Sequence, residues 1–245
     1  MSDTALLEPY FRTTSATGAY PNSSNLRFYL AYLFDGVDLV GKRMLDIGAG
    51  SGLYGIYAVC SGAAKAVCLE PEAAGSVSGV RQKFDRIVGE LELDCVSVSA
   101  ATLQEFDPGD ERFDLVFLHN SINHLDEPAC ITLHRDASAR RRYREVFRKM
   151  HDLTAPDGSL VIADCARRNL FGDLGLKNPL ARMIEWHKHQ SPRLWAHLLG
   201  EVGFGRPRIR WTSYNSLGRL GRILLGNRWA AYCLNSHFCL TMQRM

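Results

Sequence analysis

Chemistry in this chain is concentrated first around Asp46, which lies in the apolar run "MLDI". Glycines at 48, 50 and 52 follow, and then the apolar helical pattern "LYGIYAV". Two phosphate-binding loops do not fit. A dinucleotide loop needs G-x-G-x-x-G, and Leu53 stands where the last glycine should. A P-loop needs Lys and then Ser or Thr after its second glycine, and neither Gly52 nor Gly55 is followed by them. A structural turn needs one glycine for positive φ; three at alternate positions suit a backbone that a ligand approaches closely. A helix opening near Gly52 offers N–H groups to a carboxylate, while acidic Asp46 would repel a phosphate and suit an amine. Glu70, about 20 residues on, closes the run "KAVCLE" at the spacing of the acid that grips ribose hydroxyls in nucleotide folds. These groups describe a ligand with a carboxylate, an amine and a ribose.

S-adenosylmethionine is such a ligand, and here the sequence resembles the class I S-adenosylmethionine-dependent methyltransferases. "LDIGAGSG" (Leu45–Gly52) is similar to their first motif and Glu70 stands at their ribose-binding acid. "RFDLVFLHNSINHL" resembles their fourth strand and its loop, and "VFRKMHDLTAPDGSLVIAD" their leader helix, turn and fifth strand. The resemblance implies a Rossmann-like, seven-stranded, mostly parallel sheet with helices on both faces. It implies a cofactor site of Asp46, Gly48, Ala49, Gly50, Gly52, Glu70 and Pro71, joined by Ala101 and Thr102 after strand three and His119 and Asn120 after strand four. The family commonly has an acid for the adenine amine after strand three; this chain reads "VSAATLQEF", which leaves that contact to backbone groups. "INHLDEPACITL" is similar to the O-methyltransferase region whose histidine is the general base, so His124 is the candidate base. Leu125 replaces the Asp that follows that histidine, and packing the loop or contacting cofactor is the other reading of His124. Asn120 belongs to no N-P-P-Y motif, which argues against methylation of a nucleobase or glutamine amide.

Strand-like and helical runs alternate in a way that would position these residues. Arg43–Ile47, Ala66–Leu69, Cys95–Val98, Phe113–Leu118 and Ser159–Ala163 read as strands, and the intervening helical patterns argue for a parallel sheet with crossovers. Residues 1–23 read as irregular. After them Ser24 is the expected N-cap of a helix ending at Gly36, and residues 1–36 form an N-terminal cap. Tyr143, Val146, Phe147, Met150 and Leu153 make the apolar face of the helix before strand five, with arginines 140, 141, 142, 144 and 148 mostly on the other. "PRLWAHLLGEVGF" reads as a helix closed by Gly203, and "RPRIRW" and "HFCLTMQ" as an edge hairpin. The stretch between those strands, residues 212–236, is far longer than a hairpin needs. It is expected to be helical and to cover the acceptor.

The whole is expected to be a single domain, because 245 residues suit one α/β domain with additions. Seven cysteines without a C-x-x-C read as free thiols of a reducing compartment, and the N-terminus lacks the basic region of a signal peptide, so the cytoplasm is the expected location. No metal is expected: His187 and His189 would diverge on a helix, and no Asp-rich motif accompanies them. His134 and Asp136 are expected to face solvent. Net charge is +3, but from Trp186 to Met245 nine Lys or Arg meet one acid, Glu201. That excess suits a solvated face, an anionic acceptor, a lipid surface or nucleic acid. The expected activity is methyl transfer to a small-molecule acceptor, for which an anionic one is a candidate, at oxygen more than nitrogen. An RNA methyltransferase and a cofactor-binding protein without turnover are the rivals; no nucleic-acid partner and no membrane span are expected.

Overall fold

The computed structural model describes residues 5–71, 79–179, 181–212 and 217–245. Its strands form one seven-stranded sheet in the order β3-β2-β1-β4-β5-β7-β6, and chain packing divides the molecule into two compact units.

The first unit is residues 1–118 with 153–158. It holds α1 (Leu7–Ala16), α2 (Ser23–Leu33), β1 (Arg43–Ile47), α3 (Leu53–Cys60), β2 (Lys65–Leu69), α4 (Val80–Glu90), β3 (Val96–Ser99) and β4 (Phe113–His119) as far as Leu118. The β1, β2, β3 and β4 ladders are parallel, with Asp46 opposite Cys68 and Phe117, and Leu69 opposite Ser99. β1, β2 and β4 are buried along nearly their whole length and read as largely apolar runs, whereas β3 at the edge alternates Val and Ser. Two expectations are corrected here. The expected irregular lead-in contains a helix: α1 buries Tyr10 and Phe11 against α3, where the Tyr10 hydroxyl donates to the Leu53 carbonyl over 2.9 Å, and residues 1–4 lie outside the described residues. The N-cap of α2 is Asn22, not Ser24, because the Asn22 side chain accepts from the Asn25 N–H.

The second unit is residues 119–152 with 159–245. It holds α5 (Glu127–Thr132), α6 (Ala137–Leu153) to Asp152, β5 (Thr154–Cys165) from Ser159, α7 (Leu170–Asp173), α8 (Pro192–Gly200), β6 (Phe204–Trp211), α9 (Gly218–Leu225), α10 (Arg228–Cys233) and β7 (His237–Arg244). β7 runs antiparallel to both β5 and β6, with Asp164 opposite Phe238 and Cys165 opposite His237. Along α6, Tyr143, Phe147 and Met150 are fully buried, and the rings of Tyr143 and Phe147 pack on Trp195 of α8. Each such side chain is worth about 1.5–3 kcal/mol. The arginines lie off that stripe, and Arg144 chelates Glu201 while Arg142 meets Asp126. Gly203 turns the chain at φ +108, and a Cβ there would press on the His151 ring. The expected helical content after β6 is present as α9 and α10; residues 213–216 of that stretch lie outside the described residues. No helix among the described residues is long and apolar enough to cross a membrane.

Candidate functional site

In the first unit the carboxyl ends of β1 and β2 bring Asp46, the glycine loop and Glu70 together. The Gly48 and Ala49 N–H groups donate to the Leu69 carbonyl, so those two amides are spent on holding the loop against β2. The Gly50 N–H donates instead to the Glu70 carboxylate over 2.7 Å. Gly50 sits at φ +54, and a Cβ there would enter open space. Gly52 also has positive φ, but its reason is packing: a Cβ would overlap the Phe84 ring of α4. Glycine spacing alone could not separate these two roles.

Asp46 is fully buried and accepts from the Gly55 N–H over 3.1 Å, while its Oδ1 has no hydrogen-bond partner. Burial raises its pKa to about 7, the Gly55 N–H pulls it back, and the charge of Glu70 pushes it further up. An orphaned buried carboxylate oxygen is costly unless something completes it. A ligand ammonium is such a group, so the residues present suit the cofactor expected from the sequence. Pro71 and Ala101 are half-buried. Thr102 is half-buried too, and its N–H and hydroxyl both donate to Glu105 Oε2, which makes it the cap of the turn after β3. Its side chain thus has a structural task already.

The second unit gathers histidines at strand ends. His119 closes β4, and its ring lies 6.0 Å from that of His237 at the start of β7. Asn120 turns the chain at φ +52, donating its N–H to the Ala163 carbonyl, and its Oδ1 lies 3.4 Å from His237 Nε2. Burial, helped by the neighbouring His237, pushes His119 down to about 3. Burial pushes His237 down to about 4, with His189 acting in the same sense and Asp164 opposing. Both rings are neutral near pH 7.

Asp164, the last acid of β5, is fully buried, and its Oδ2 has no hydrogen-bond partner. His189 Nδ1 lies 3.1 Å from Asp164 Oδ1, off line for a hydrogen bond. No motif singles out Asp164 in the sequence, although it closes an apolar strand as Asp46 and Glu70 do. His189 stands out in the sequence only through its spacing from His187; among the described residues no group of three or more His, Cys, Asp or Glu is placed to hold a metal ion.

His124 lies apart in character. It sits on a single 3-10 turn, Ile122–Asp126, with its side chain 60% exposed and Nδ1 3.1 Å from Glu127. The Tyr143 hydroxyl fixes that turn by donating to the Ile122 carbonyl. His134 and Asp136 face solvent.

The second unit also contains a cavity of about 640 Å³ walled by Trp211, Trp229 and Tyr232 and by Arg168, Arg193 and Arg228. Three of these six come from α10 or its first residue. Arg168 is held by Asp173, which also accepts from the Tyr232 hydroxyl. Such dimensions suit a small organic molecule.

A methyltransferase-domain family model matches residues 19–205. Among solved structures, the fold is similar to a SAM-dependent methyltransferase of Aquifex aeolicus, at 14% identity and TM-score 0.60 over 94% of this chain and 98% of that one. It is similar to an S-adenosylmethionine-dependent methyltransferase of Mesorhizobium loti, at 14% identity and TM-score 0.58 over 87% and 96%. It is also similar to the [4+2]-cyclase SpnF, at 17% identity and TM-score 0.57 over 91% and 80%. No curated protein matches the sequence.

Proposed function

This chain belongs to the class I S-adenosylmethionine-dependent methyltransferases, and we propose that it methylates a small-molecule acceptor at oxygen rather than nitrogen. The observation that carries the proposal is the cavity of about 640 Å³ walled by aromatic rings and arginines. Rings on its wall favour a planar or apolar acceptor body, and arginines favour an anionic substituent.

S-adenosylmethionine supplies, when bound, a methyl group on a sulfonium that leaves as a neutral thioether. The chain's own work is then alignment, which is worth about 7–11 kcal/mol in well-oriented systems. We assign Glu70 to the ribose hydroxyls, Gly50 to the close approach of the loop, and Asp46 to the ammonium. Pro71, Ala101, Thr102, His119 and Asn120 complete the cofactor's surroundings, with Gly48, Ala49 and Gly52 shaping the loop. An acceptor hydroxyl must lose its proton as the new C–O bond forms, and a histidine within reach of it can take that proton. His124 beside Glu127 and His189 beside Asp164 are the two candidates; the buried carboxylate of Asp164 favours His189, because it would stabilise the imidazolium that forms. Residues 212–236 serve as a lid over the acceptor, residues 1–36 as a cap in one continuous domain, and the site of action is the cytoplasm. The free thiols support that last assignment.

The test pairs hydroxyl- and amine-bearing versions of one aromatic acid and follows transfer of a labelled methyl group. O-methyl product is expected, with turnover falling about 10²–10⁴-fold in the variant lacking the base. His189→Gln and His124→Gln decide which histidine that is: the true base loses its rate at constant S-adenosylmethionine affinity, with the deficit shrinking as pH rises. Exclusive N-methyl product, or transfer to RNA alone, would overturn the proposal.

A further inference from the structure

The helix α9 turns its apolar side outward. Leu220, Ile223 and Leu224 share one stripe at spacings of three and four and are 73%, 77% and 70% exposed. The residue α9 buries is Gly221, so the helix sends no large side chain into the core. Leu217, one turn earlier, and Trp229, at the start of α10, are exposed as well. The charge carried by this end of the chain has one sign. From Val202 to Met245 there are seven arginines and no Asp or Glu. Arg219 and Arg228 are exposed, and the Arg228 guanidinium lies 4.6 Å over the Trp229 ring.

We propose that α9 and the start of α10 are an interfacial anchor that lies on an anionic lipid surface. Leu220, Ile223, Leu224 and Trp229 would enter the boundary between headgroups and acyl chains, and Arg219 and Arg228 would meet lipid phosphates. A basic, outward-facing amphipathic helix with a Trp is the composition that binds such surfaces, and length does not discriminate. A second copy of the chain is a poor occupant. A twofold contact would set this arginine-rich stretch, which contains no Asp or Glu of its own, against itself. RNA would satisfy the arginines but leave the Leu and Ile side chains in water. The anchor is independent of which atom of the acceptor is methylated. It bears on delivery, since Arg228 and Trp229 also wall the cavity.

Sedimentation of the full chain with vesicles tests this, using pure phosphatidylcholine against phosphatidylcholine with a third phosphatidylglycerol. Binding to the anionic vesicles at least about 10-fold tighter is expected, weakening as salt rises. The triple substitution Leu220→Ser, Ile223→Ser, Leu224→Ser should lose at least tenfold, and Arg219→Glu about fivefold or more. Each variant should keep its S-adenosylmethionine affinity by calorimetry, which separates loss of the anchor from loss of the fold. No binding to either vesicle, equal binding to both, or binding unchanged in the triple variant would overturn the proposal. So would a dimer in sedimentation velocity that the triple variant splits, or RNA binding that survives it.

Discussion

Asp46 and Glu70 both stand at strand ends, yet their surroundings give them different work. Asp46 has one N–H and an orphaned oxygen in a dry setting, whereas half-buried Glu70 already accepts the Gly50 N–H. Removing Glu70 therefore releases the loop as well as a ribose contact. Glu70→Ala should weaken S-adenosylmethionine binding by about 1.5–3 kcal/mol, the range for hydrogen bonds to a charged group. Gly50→Val should abolish it, because the new side chain fills the open space and strains a left-handed backbone position. Calorimetry on both variants checks this; unchanged affinity in the pair would remove the assigned cofactor site. These residues were legible because acid-ended strands and alternate glycines leave a local signature. His189 and Asp164 were not: they are 25 residues apart in sequence, and only the fold brings them within 3.1 Å.

Elements were legible where period and burial agree. β1 and β4 begin where the apolar runs do, and the stripe of α6 is buried at Tyr143, Phe147 and Met150. The lead-in failed because α1 is short and carries Tyr10, Phe11, Thr13, Thr14 and Ser15, residues of modest helix propensity. It is stabilised by burying Tyr10 and Phe11, which a local pattern does not reveal. The segment before β7 was legible as helical but not in its anchoring. There Asn169, fully buried, donates to the Tyr232 and Leu234 carbonyls and to Ser236 Oγ, and accepts from the Phe171 N–H and Asn178. One amide thus ties α7 to the end of α10, whose residues wall the cavity. Asn169→Ala should cost about 1–3 kcal/mol through the carbonyls left unpaired. It should also raise the acceptor KM several-fold while S-adenosylmethionine affinity stays within twofold. An acceptor KM equal to that of the parent would show that α10 keeps its place without Asn169.

Over the whole molecule, the buried titratable groups work against one another as pH changes. His119 and His237, with pKa values pushed down to about 3 and about 4, stay neutral in the fold while the unfolded chain protonates them below about 6.5. Their contribution falls as pH drops through that window. Asp46 has the opposite sign. Its pKa is raised from 3.8 to about 7, so between those values the fold holds a proton that the unfolded chain has released. The stability this carries is full below 3.8 and is lost as pH rises to about 7. Such a shift amounts to about 4 kcal/mol at about 1.4 kcal/mol per pH unit. Asp46→Asn keeps an oxygen for the Gly55 N–H and removes the titration. Denaturant unfolding of parent and variant from pH 3.5 to 8 should therefore give a stability difference that is flat below pH 4. The difference should grow in favour of the variant by about 1.4 kcal/mol per unit up to pH 7 and level off above it. Other titrating groups cancel in that difference. Saturating S-adenosylmethionine should shrink the slope in the parent, because an ammonium beside Asp46 stabilises its charged form and brings its pKa back towards the unfolded value. A slope that persists undiminished in saturating cofactor would mean that the ammonium lies elsewhere and that the orphaned oxygen of Asp46 serves the fold alone.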